Sequence, residues 1–185
     1  MPVPSPVRRR PSRGFTVIEL AVVLAIVAIL LRVAAPGLSR ATAARALAAQ
    51  SSEFMAALRF ARAQALLRGS AVTVCASAPG GPPLACQGAR AADWRSGWIV
   101  FADRDRRGVP DDRSFLLRVQ QPLQRSGGVA GTRGTISFTA AGFSTDASSH
   151  YLFSPPPAAF DAPPPVMVCV SKQGRPRLAD SGECA

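Results

Sequence analysis

The sequence predicts an α+β chain in which a long N-terminal helix, transmembrane at first and amphipathic further on, packs on a small antiparallel β-sheet or β-sandwich domain. Two observations predict this fold class. An apolar run over 15–31 is followed, over 39–68, by an Ala-rich segment of strong helix formers. After Gly69 the pattern changes to short runs of β-branched and aromatic residues between clusters of Gly, Pro, Ser and Asp.

The N-terminal region predicts a membrane anchor. Residues 1–14 are Pro-rich and basic and contain no acid, and the 17 residues that follow are apolar except for Thr16 and Glu19. Extended past Arg32 to Ala35, the run would measure about 31 Å as a helix, which just spans a bilayer. The cations in front of it predict a cytoplasmic N-terminus and place the rest of the chain on the other side of the membrane.

A cleaved signal peptide is the alternative, because it has the same basic and apolar regions. The end of the run offers no clean cleavage site, since Arg32 interrupts its small residues. Glu19 also argues for an anchor with a function, because an ionisable group in an apolar segment is costly unless it is paired.

The segment Arg13-Gly14-Phe15-Thr16-Val17-Ile18-Glu19-Leu20 resembles the processing motif of type IV pilins and type II secretion pseudopilins. The resemblance implies that a prepilin peptidase removes the leader 1–14 by cutting between Gly14 and Phe15, after which Phe15 is N-methylated. It also implies that Glu19 pairs with the N-terminal amine of a neighbouring subunit during filament assembly. Such a protein is held in the inner membrane by its helix over 15–38. Its globular domain is periplasmic, and assembly carries it to a pilus at the cell surface.

The globular domain is predicted over 39–185, with a helix over 39–68 and a β domain over 69–185. Pro36-Gly37 is expected to kink or locally melt the helix where the anchor ends. A helical stripe with three- and four-residue spacing is expected to pack on the domain itself; it consists of Leu47, Phe54, Leu58, Ala61 and Ala65. Six runs predict strands, over 71–75, 98–102, 115–119, 135–138, 151–153 and 166–170.

The four cysteines, Cys75, Cys86, Cys169 and Cys184, predict disulfides. An even number of cysteines in an exported domain is typical of disulfide bonds rather than of metal binding or catalysis. Three pairings are possible. The local pairs are Cys75–Cys86 and Cys169–Cys184, and each would stabilise the fold by roughly 3 kcal/mol. No spacing matches the C-x-x-C pair of a zinc site.

Two segments of the β domain refine the resemblance. Trp94-Arg95-Ser96-Gly97-Trp98-Ile99-Val100-Phe101 is similar to a stretch of the GspH/FimT branch of the pseudopilins, and so is Val72-Thr73-Val74-Cys75 with the loop that leads to Cys86. The branch has two functional arms. One is the minor pseudopilin of the type II secretion system. The other is the FimT-like minor pilin of type IV pili, which is linked to DNA uptake in natural transformation.

The C-terminal segment favours the second arm. Ser171-Lys172-Gln173-Gly174-Arg175-Pro176-Arg177-Leu178 resembles the Gly-Arg-x-Arg motif of DNA-binding FimT-like pilins. The resemblance implies a minor pilin that binds extracellular double-stranded DNA without sequence preference for uptake and takes part in pilus assembly. The implied DNA-binding residues are Lys172, Gly174, Arg175 and Arg177. The alternative function is a GspH-like pseudopilin of type II secretion that does not bind DNA.

The chemistry of the motif fits phosphate binding. Pro176 favours an extended backbone, in which Arg175 and Arg177 project to the same side about 6.6 Å apart, on the order of two phosphate steps along one strand. If Cys169 pairs with Cys184, the closed loop holds the motif in place and lowers the ordering cost of binding. An ordinary solvated tail with three cations is the competing interpretation.

The local distribution of charge is a better argument for DNA than the total. The formal net charge is +11, from 22 Lys and Arg against 11 Asp and Glu, and the 48% of hydrophobic residues excludes a disordered polycation. Four of the arginines belong to the leader. The stretch 134–170 contains no Lys or Arg, whereas three cations follow within 172–177.

No enzyme, cofactor or metal site is expected. The single histidine, His150, excludes a site with several histidines, and the carboxylates cluster with arginines rather than with a nucleophile–base pair. The D-x-D spacing over Asp103–Asp112 is like that of a calcium loop. Its interleaved arginines and the lack of a closing Glu favour the tip of a charged β-hairpin instead.

Overall fold

The computed structural model has the α+β architecture that the sequence predicts, with a long helix and two antiparallel sheets. The residues that the structure describes are 14–80, 85–90, 92–110, 115–145, 149–157, 162–179 and 184. Contacts divide the chain into two compact units, Met1–Leu38 and Ser39–Ala185. Helix α1, Val17–Arg68, begins in the first unit and ends in the second.

Helix α1 begins two residues later than predicted, because Thr16 caps it. The Thr16 hydroxyl oxygen accepts a hydrogen bond from the backbone N–H of Glu19 (3.3 Å), and the Thr16 carbonyl oxygen accepts one from Leu20 (3.2 Å). A hydroxyl at this position satisfies a donor that the first helical turn leaves open. The helix ends at Arg68, and Gly69 follows with φ +59°, a conformation that suits glycine.

In the first unit the helix is largely apolar and exposed. Val17, Leu24 and Leu31 keep 87%, 59% and 62% of their surface accessible. Within the described residues no single helix is long and apolar enough to cross a membrane, whereas Val17–Arg32 and Gly37–Arg68, taken together as a bent pair, have the length and composition of a span. The anchor predicted over 15–38 stays a prediction.

The predicted stripe of α1 forms the helix side of the core in the second unit. All five of its residues are buried. At its centre, the ring centroid of Phe54 lies 5.2 Å from those of Trp94 and Trp98. The two tryptophan rings meet Phe54 nearly edge-on, an arrangement that adds to the free energy gained by burying them. The prediction that this stripe packs on its own domain is confirmed.

The β domain consists of two antiparallel sheets. The strands of the first are β1 Val72–Ala76, β3 Trp98–Ala102, β4 Phe115–Gln120 and β6 Thr135–Phe138. Those of the second are β2 Ala92–Asp93, β5 Gly128–Gly131, β7 Ser149–Ser154, β8 Val166–Val170 and β9 Pro176–Leu178. The first sheet has the order β4-β3-β1-β6, and the second has the order β2-β5-β7-β8-β9.

Six of these strands match the predicted runs to within two residues, whereas β2, β5 and β9 have no predicted counterpart. Strand β5 reads Gly-Val-Ala-Gly, and its small residues carry little strand propensity. It forms because its backbone pairs with β7 and because Val129 is fully buried. Strand β9 forms because a tight turn folds it back onto β8.

The segment Trp94–Phe101 serves the packing of the domain. Trp94 and Trp98 are fully buried, and the Trp94 ring nitrogen Nε1 donates a hydrogen bond to the Arg133 carbonyl oxygen (2.8 Å). Between them Gly97 has φ +92°, and a Cβ there would collide with the carbonyl oxygen of Gln120. Glycine alone satisfies both conditions.

The segment that starts at Asp103 connects β3 to β4 at the tip of a β-hairpin. The buried carboxylate of Asp103 accepts hydrogen bonds from the Thr73 hydroxyl and from the backbone N–H groups of Arg107 and Gly108, each at 2.9 Å. The described residues contain no group of three metal-ligating side chains, and Asp111-Asp112 of the calcium hypothesis lies outside them. Asp103 thus organises the hairpin loop.

Candidate functional site

The predicted DNA-binding motif lies on a β-hairpin at the edge of the second sheet. Strand β8 pairs with β9, and Cys169 is opposite Arg177. The turn closes between Ser171 and Arg175. The N–H of Ser171 donates to the Arg175 carbonyl oxygen (3.2 Å), and the Ser171 hydroxyl accepts from the N–H of Arg175 (3.3 Å). Hydrogen bonds therefore shape this basic segment into a defined turn.

Gly174 makes the turn possible. It is buried, has φ +74° and donates its N–H to the Ser171 carbonyl oxygen (2.8 Å). A Cβ on Gly174 would collide with the Gly142 carbonyl oxygen and come within 3.2 Å of the Phe138 ring. Both the backbone conformation and the lack of space require glycine. Gly174 therefore acts on the site through the shape of the turn.

The hairpin packs against a second turn, residues 139–144, which follows β6. The N–H of Ser144 donates to the carbonyl oxygen of Lys172 (3.0 Å). The second turn is closed by a bond from the Thr139 N–H to the Phe143 carbonyl oxygen (2.9 Å) and by one from the Gly142 N–H to the Thr139 carbonyl oxygen (2.8 Å). These bonds hold the backbone of Lys172 beside the 139–144 turn.

The three cations of the motif, Lys172, Arg175 and Arg177, are exposed. Val168 and Val170 of β8 belong to the core, so Cys169 between them, which is itself buried, lies on the other face of the sheet, and Arg177 opposite Cys169 shares that outer face. Arg175 lies two residues before Arg177. In an extended chain every second side chain is on the same face, so Arg175 shares the face of Arg177. The outer face of the sheet edge therefore carries a concentrated positive charge.

The expectation of disulfides is confirmed, and the two local pairs are the ones that form. Cys75–Cys86 and Cys169–Cys184 have Cα atoms 5.7 Å and 5.6 Å apart. Cys75–Cys86 links β1 to the loop that follows it. Cys169–Cys184 ties β8 to the end of the chain and encloses the whole hairpin turn within its loop.

The processing and assembly residues predicted at the N-terminus lie in the first unit. Gly14 and Phe15 precede helix α1, and Phe15 is 81% exposed. Glu19 lies in the first turn of the helix and is exposed. The bond between Gly14 and Phe15 and the Glu19 carboxylate are thus both accessible. Leader residues 1–13 lie outside the described residues.

The 139–144 turn is the part of this surface that sequence reasoning missed. Gly142 has φ +77°, and a Cβ on it would lie 3.2 Å from Arg62 Nε and from Leu66 Cδ2 on helix α1. The next residue, Phe143, keeps 52% of its surface exposed. In the sequence these residues have the composition of an ordinary turn. No pattern indicates that they meet Lys172, because that contact depends on how the two turns pack.

Comparison with known proteins agrees with this architecture. The family model described as "Type II transport protein GspH" matches residues 50–174, and the model of the prokaryotic N-terminal methylation motif matches residues 9–31. None of the curated proteins compared with the chain matches it.

Among solved structures, the crystal structure of the type IV minor pilin FimU of Pseudomonas aeruginosa strain PAO1, in space group P21, has a TM-score of 0.52. The match covers 75% of this chain and 92% of the FimU chain, and the two sequences are 18% identical over it. The same protein in space group P65 has a TM-score of 0.48, covers 73% and 94% of the two chains, and is also 18% identical. At this identity the likeness to the P21 structure concerns the fold.

The GspH match covers most of the second unit, and the methylation match contains Gly14, Phe15 and Glu19. Together they imply association with other pilins in a filament and processing of a prepilin. The apolar N-terminal helix is consistent with the membrane anchoring of a pilin. The chain belongs to the GspH family of minor type IV pilins and pseudopilins.

Proposed function

We propose that the protein is a FimT-like minor type IV pilin that binds extracellular double-stranded DNA without sequence preference, for uptake in natural transformation, and takes part in pilus assembly. The observation that carries this proposal is the hairpin, which exposes Lys172, Arg175 and Arg177 within one disulfide-enclosed turn. Cations on a backbone that is already ordered lose less conformational entropy on binding phosphates than cations on a mobile tail. Phosphate contacts position DNA but read no sequence.

In this proposal the N-terminus is cytoplasmic, the apolar part of α1 anchors the unprocessed chain in the inner membrane, and the second unit is periplasmic. A prepilin peptidase cuts after Gly14, and Phe15 is N-methylated. Glu19 then pairs with the N-terminal amine of a neighbouring subunit. The exposed apolar side chains of Val17–Leu31 support this arrangement, because lipid before assembly and neighbouring helices afterwards would remove them from water.

A single subunit is expected to bind DNA weakly. Three phosphate contacts correspond to a slope of about −3 when the logarithm of the binding constant is plotted against the logarithm of the salt concentration. Retention of a long DNA molecule then depends on several subunits that act together, since linked sites bind with greater avidity than one.

The test is a titration of the full chain, in a non-ionic detergent, with labelled duplex DNA at several salt concentrations. We expect Arg175→Ala/Arg177→Ala to weaken binding and to reduce the salt slope from about −3 to about −1. Arg104→Ala/Arg118→Ala is the matched control, because it removes two exposed arginines from the β3–β4 hairpin and its loop. Equal losses in the two double variants would show that total charge, rather than the motif, binds DNA.

The description of the matched family favours a second candidate, a minor pseudopilin of a type II secretion system that does not bind DNA. Under this function, deletion of the protein abolishes the export of exoenzymes and leaves transformation unchanged. The DNA-binding function predicts the reverse. Both functions consist of binding and assembly, and we propose no catalytic role.

A further inference from the structure

We propose that Phe143 stacks on a nucleobase of single-stranded DNA whose phosphates are bound by the adjacent cations. This inference rests on the proposed DNA-binding function and extends it to a second form of the ligand. It starts from the exposure of Phe143, which keeps 52% of its surface accessible on a turn that is otherwise firmly held.

The structure places Phe143 beside the basic hairpin. Its neighbour Ser144 donates its backbone N–H to the carbonyl oxygen of Lys172 at 3.0 Å, and backbones joined in this way run about 5 Å apart. Its other neighbour, Gly142, contacts Gly174. In the chain Gly174 lies two residues after Lys172 and directly before Arg175. The exposed residues Phe143, Lys172 and Arg175 therefore stand on backbone segments that are in contact.

A further cation, Arg62, lies beside the 139–144 turn. The Nε atom of Arg62 would be 3.2 Å from a Cβ on Gly142, and among the described residues this Nε has no hydrogen-bond partner. Arg62 is half-buried at its place on α1. The 139–144 turn, which carries Phe143, thus contacts both Arg62 of the helix and the basic hairpin.

This combination suits a single strand better than a duplex. Proteins that bind single strands join cations that follow the phosphates with aromatic rings that stack on the bases, and such stacking tolerates any sequence. In a duplex the bases are already stacked on one another, so an isolated ring on the surface has no base face to contact. Phosphates are available in both forms. The cations should therefore serve both ligands, and Phe143 should serve the single strand.

Exposure alone does not leave an aromatic ring open for stacking, and Phe115 is an example. It is 63% exposed on β4, but the guanidinium carbon of Arg68 lies 5.2 Å from its ring centroid. One face of that ring already has a partner, and the residue belongs to the other sheet. Phe115 is therefore a suitable control for a generic effect of removing an exposed phenyl ring.

The test compares the full chain in non-ionic detergent with three variants, using a labelled oligothymidine and a duplex of equal length. Phe143→Leu keeps an apolar side chain but removes the ring, and we expect it to weaken binding of the single strand about tenfold while changing duplex binding less than about twofold. Phe143→Trp should preserve the affinity, and its indole fluorescence should be quenched when oligothymidine binds. Phe115→Leu should change neither affinity.

The two hypotheses fail in different ways. If Phe143→Leu leaves single-strand binding unchanged while Arg175→Ala/Arg177→Ala weakens duplex binding, the stacking inference is wrong and the proposed function stands. If the arginine variant weakens neither ligand, the proposed function is wrong. Unchanged DNA affinities together with a loss of filaments in Phe143→Leu would overturn the inference and assign the ring to a contact between subunits.

Discussion

Gly174 lies so close to Gly142 that a Cβ on Gly174 would collide with the Gly142 carbonyl oxygen. This contact joins the hairpin of β8 and β9 to the 139–144 turn. The 139–144 turn also packs on Arg62 and Leu66 of helix α1. The position of the basic residues therefore depends on tertiary packing that continues to the helix.

Replacing Gly174 with alanine should displace the hairpin. The positive φ of this residue strains any other side chain by roughly 1–3 kcal/mol, and the collision adds to that cost. For a chain of this size, each 1 kcal/mol lost lowers the melting temperature by about 2–4 °C, which thermal unfolding followed by near-ultraviolet circular dichroism can resolve. Gly69→Ala is the control, because Gly69 has φ +59° with no atom within 4 Å of its Cβ position. Equal shifts in the two variants would contradict the close packing of Gly174.

The two disulfides should differ in their effect on DNA binding, although they close loops of similar length. Cys75→Ala/Cys86→Ala and Cys169→Ala/Cys184→Ala should each reduce the free energy of unfolding by roughly 3 kcal/mol. The second pair encloses the basic hairpin, so its removal should also weaken DNA binding severalfold, because more chain must be ordered. Denaturant unfolding and the duplex titration measure the two effects separately. Undiminished DNA affinity without Cys169–Cys184 would show that the backbone hydrogen bonds suffice.

Phe54→Ala should be among the most damaging substitutions in the second unit. The side chain is fully buried, and four aromatic rings have their centroids within 4.9–5.7 Å of its own. Removing a buried phenylalanine costs about 3–5 kcal/mol through lost burial and the cavity that remains. The exposed Phe115 gives the control, since Phe115→Ala should cost about 1 kcal/mol or less. Melting temperatures of the two variants that lie close together would refute the central role of Phe54.

Asp103 should stabilise the protein without binding calcium. Asp103→Ala removes the acceptor of three hydrogen bonds from buried or partly buried donors, and each donor left without a partner costs about 1–3 kcal/mol. Asp105→Ala breaks an exposed ion pair with Arg107 and should cost about 0–1 kcal/mol. Added Ca²⁺ should leave the melting temperature of the unmodified protein unchanged. A rise that Asp103→Ala abolishes would restore the calcium hypothesis.

Replacing Gly14 with valine should block processing of the leader, because the proposed cleavage lies between Gly14 and Phe15. The mass of the protein from membrane fractions should correspond to the chain from Phe15, with one added methyl group. The Gly14→Val variant should keep residues 1–14. The same mass in both proteins would contradict the proposed cleavage site. Glu19→Gln should be processed normally but should fail at filament assembly. The two variants would thus separate the role of Gly14 in processing from the role of Glu19 in assembly.

The extent of agreement between sequence and structure follows from the range of the interactions involved. The apolar anchor, the stripe on α1 and six strands were predictable because each depends on the composition and spacing of neighbouring residues. Strand β5 was not, since its small residues become a strand only when β7 lies beside them. Helix α1 begins two residues later than predicted because the hydroxyl of Thr16 caps it.

The features of the candidate site also divide into those that the sequence predicts and those that only the tertiary structure shows. By itself, the sequence determined the methylation motif around Gly14, the fold class and the cluster of cations over 172–177, because local patterns of residues carry all three. Only the tertiary structure decided which cysteines pair, that Gly174 is buried, and that Phe143 lies beside Lys172. These relationships join residues far apart in the chain. They are set by the register of β8 with β9 and by the packing of two turns, neither of which leaves a pattern in local spacing.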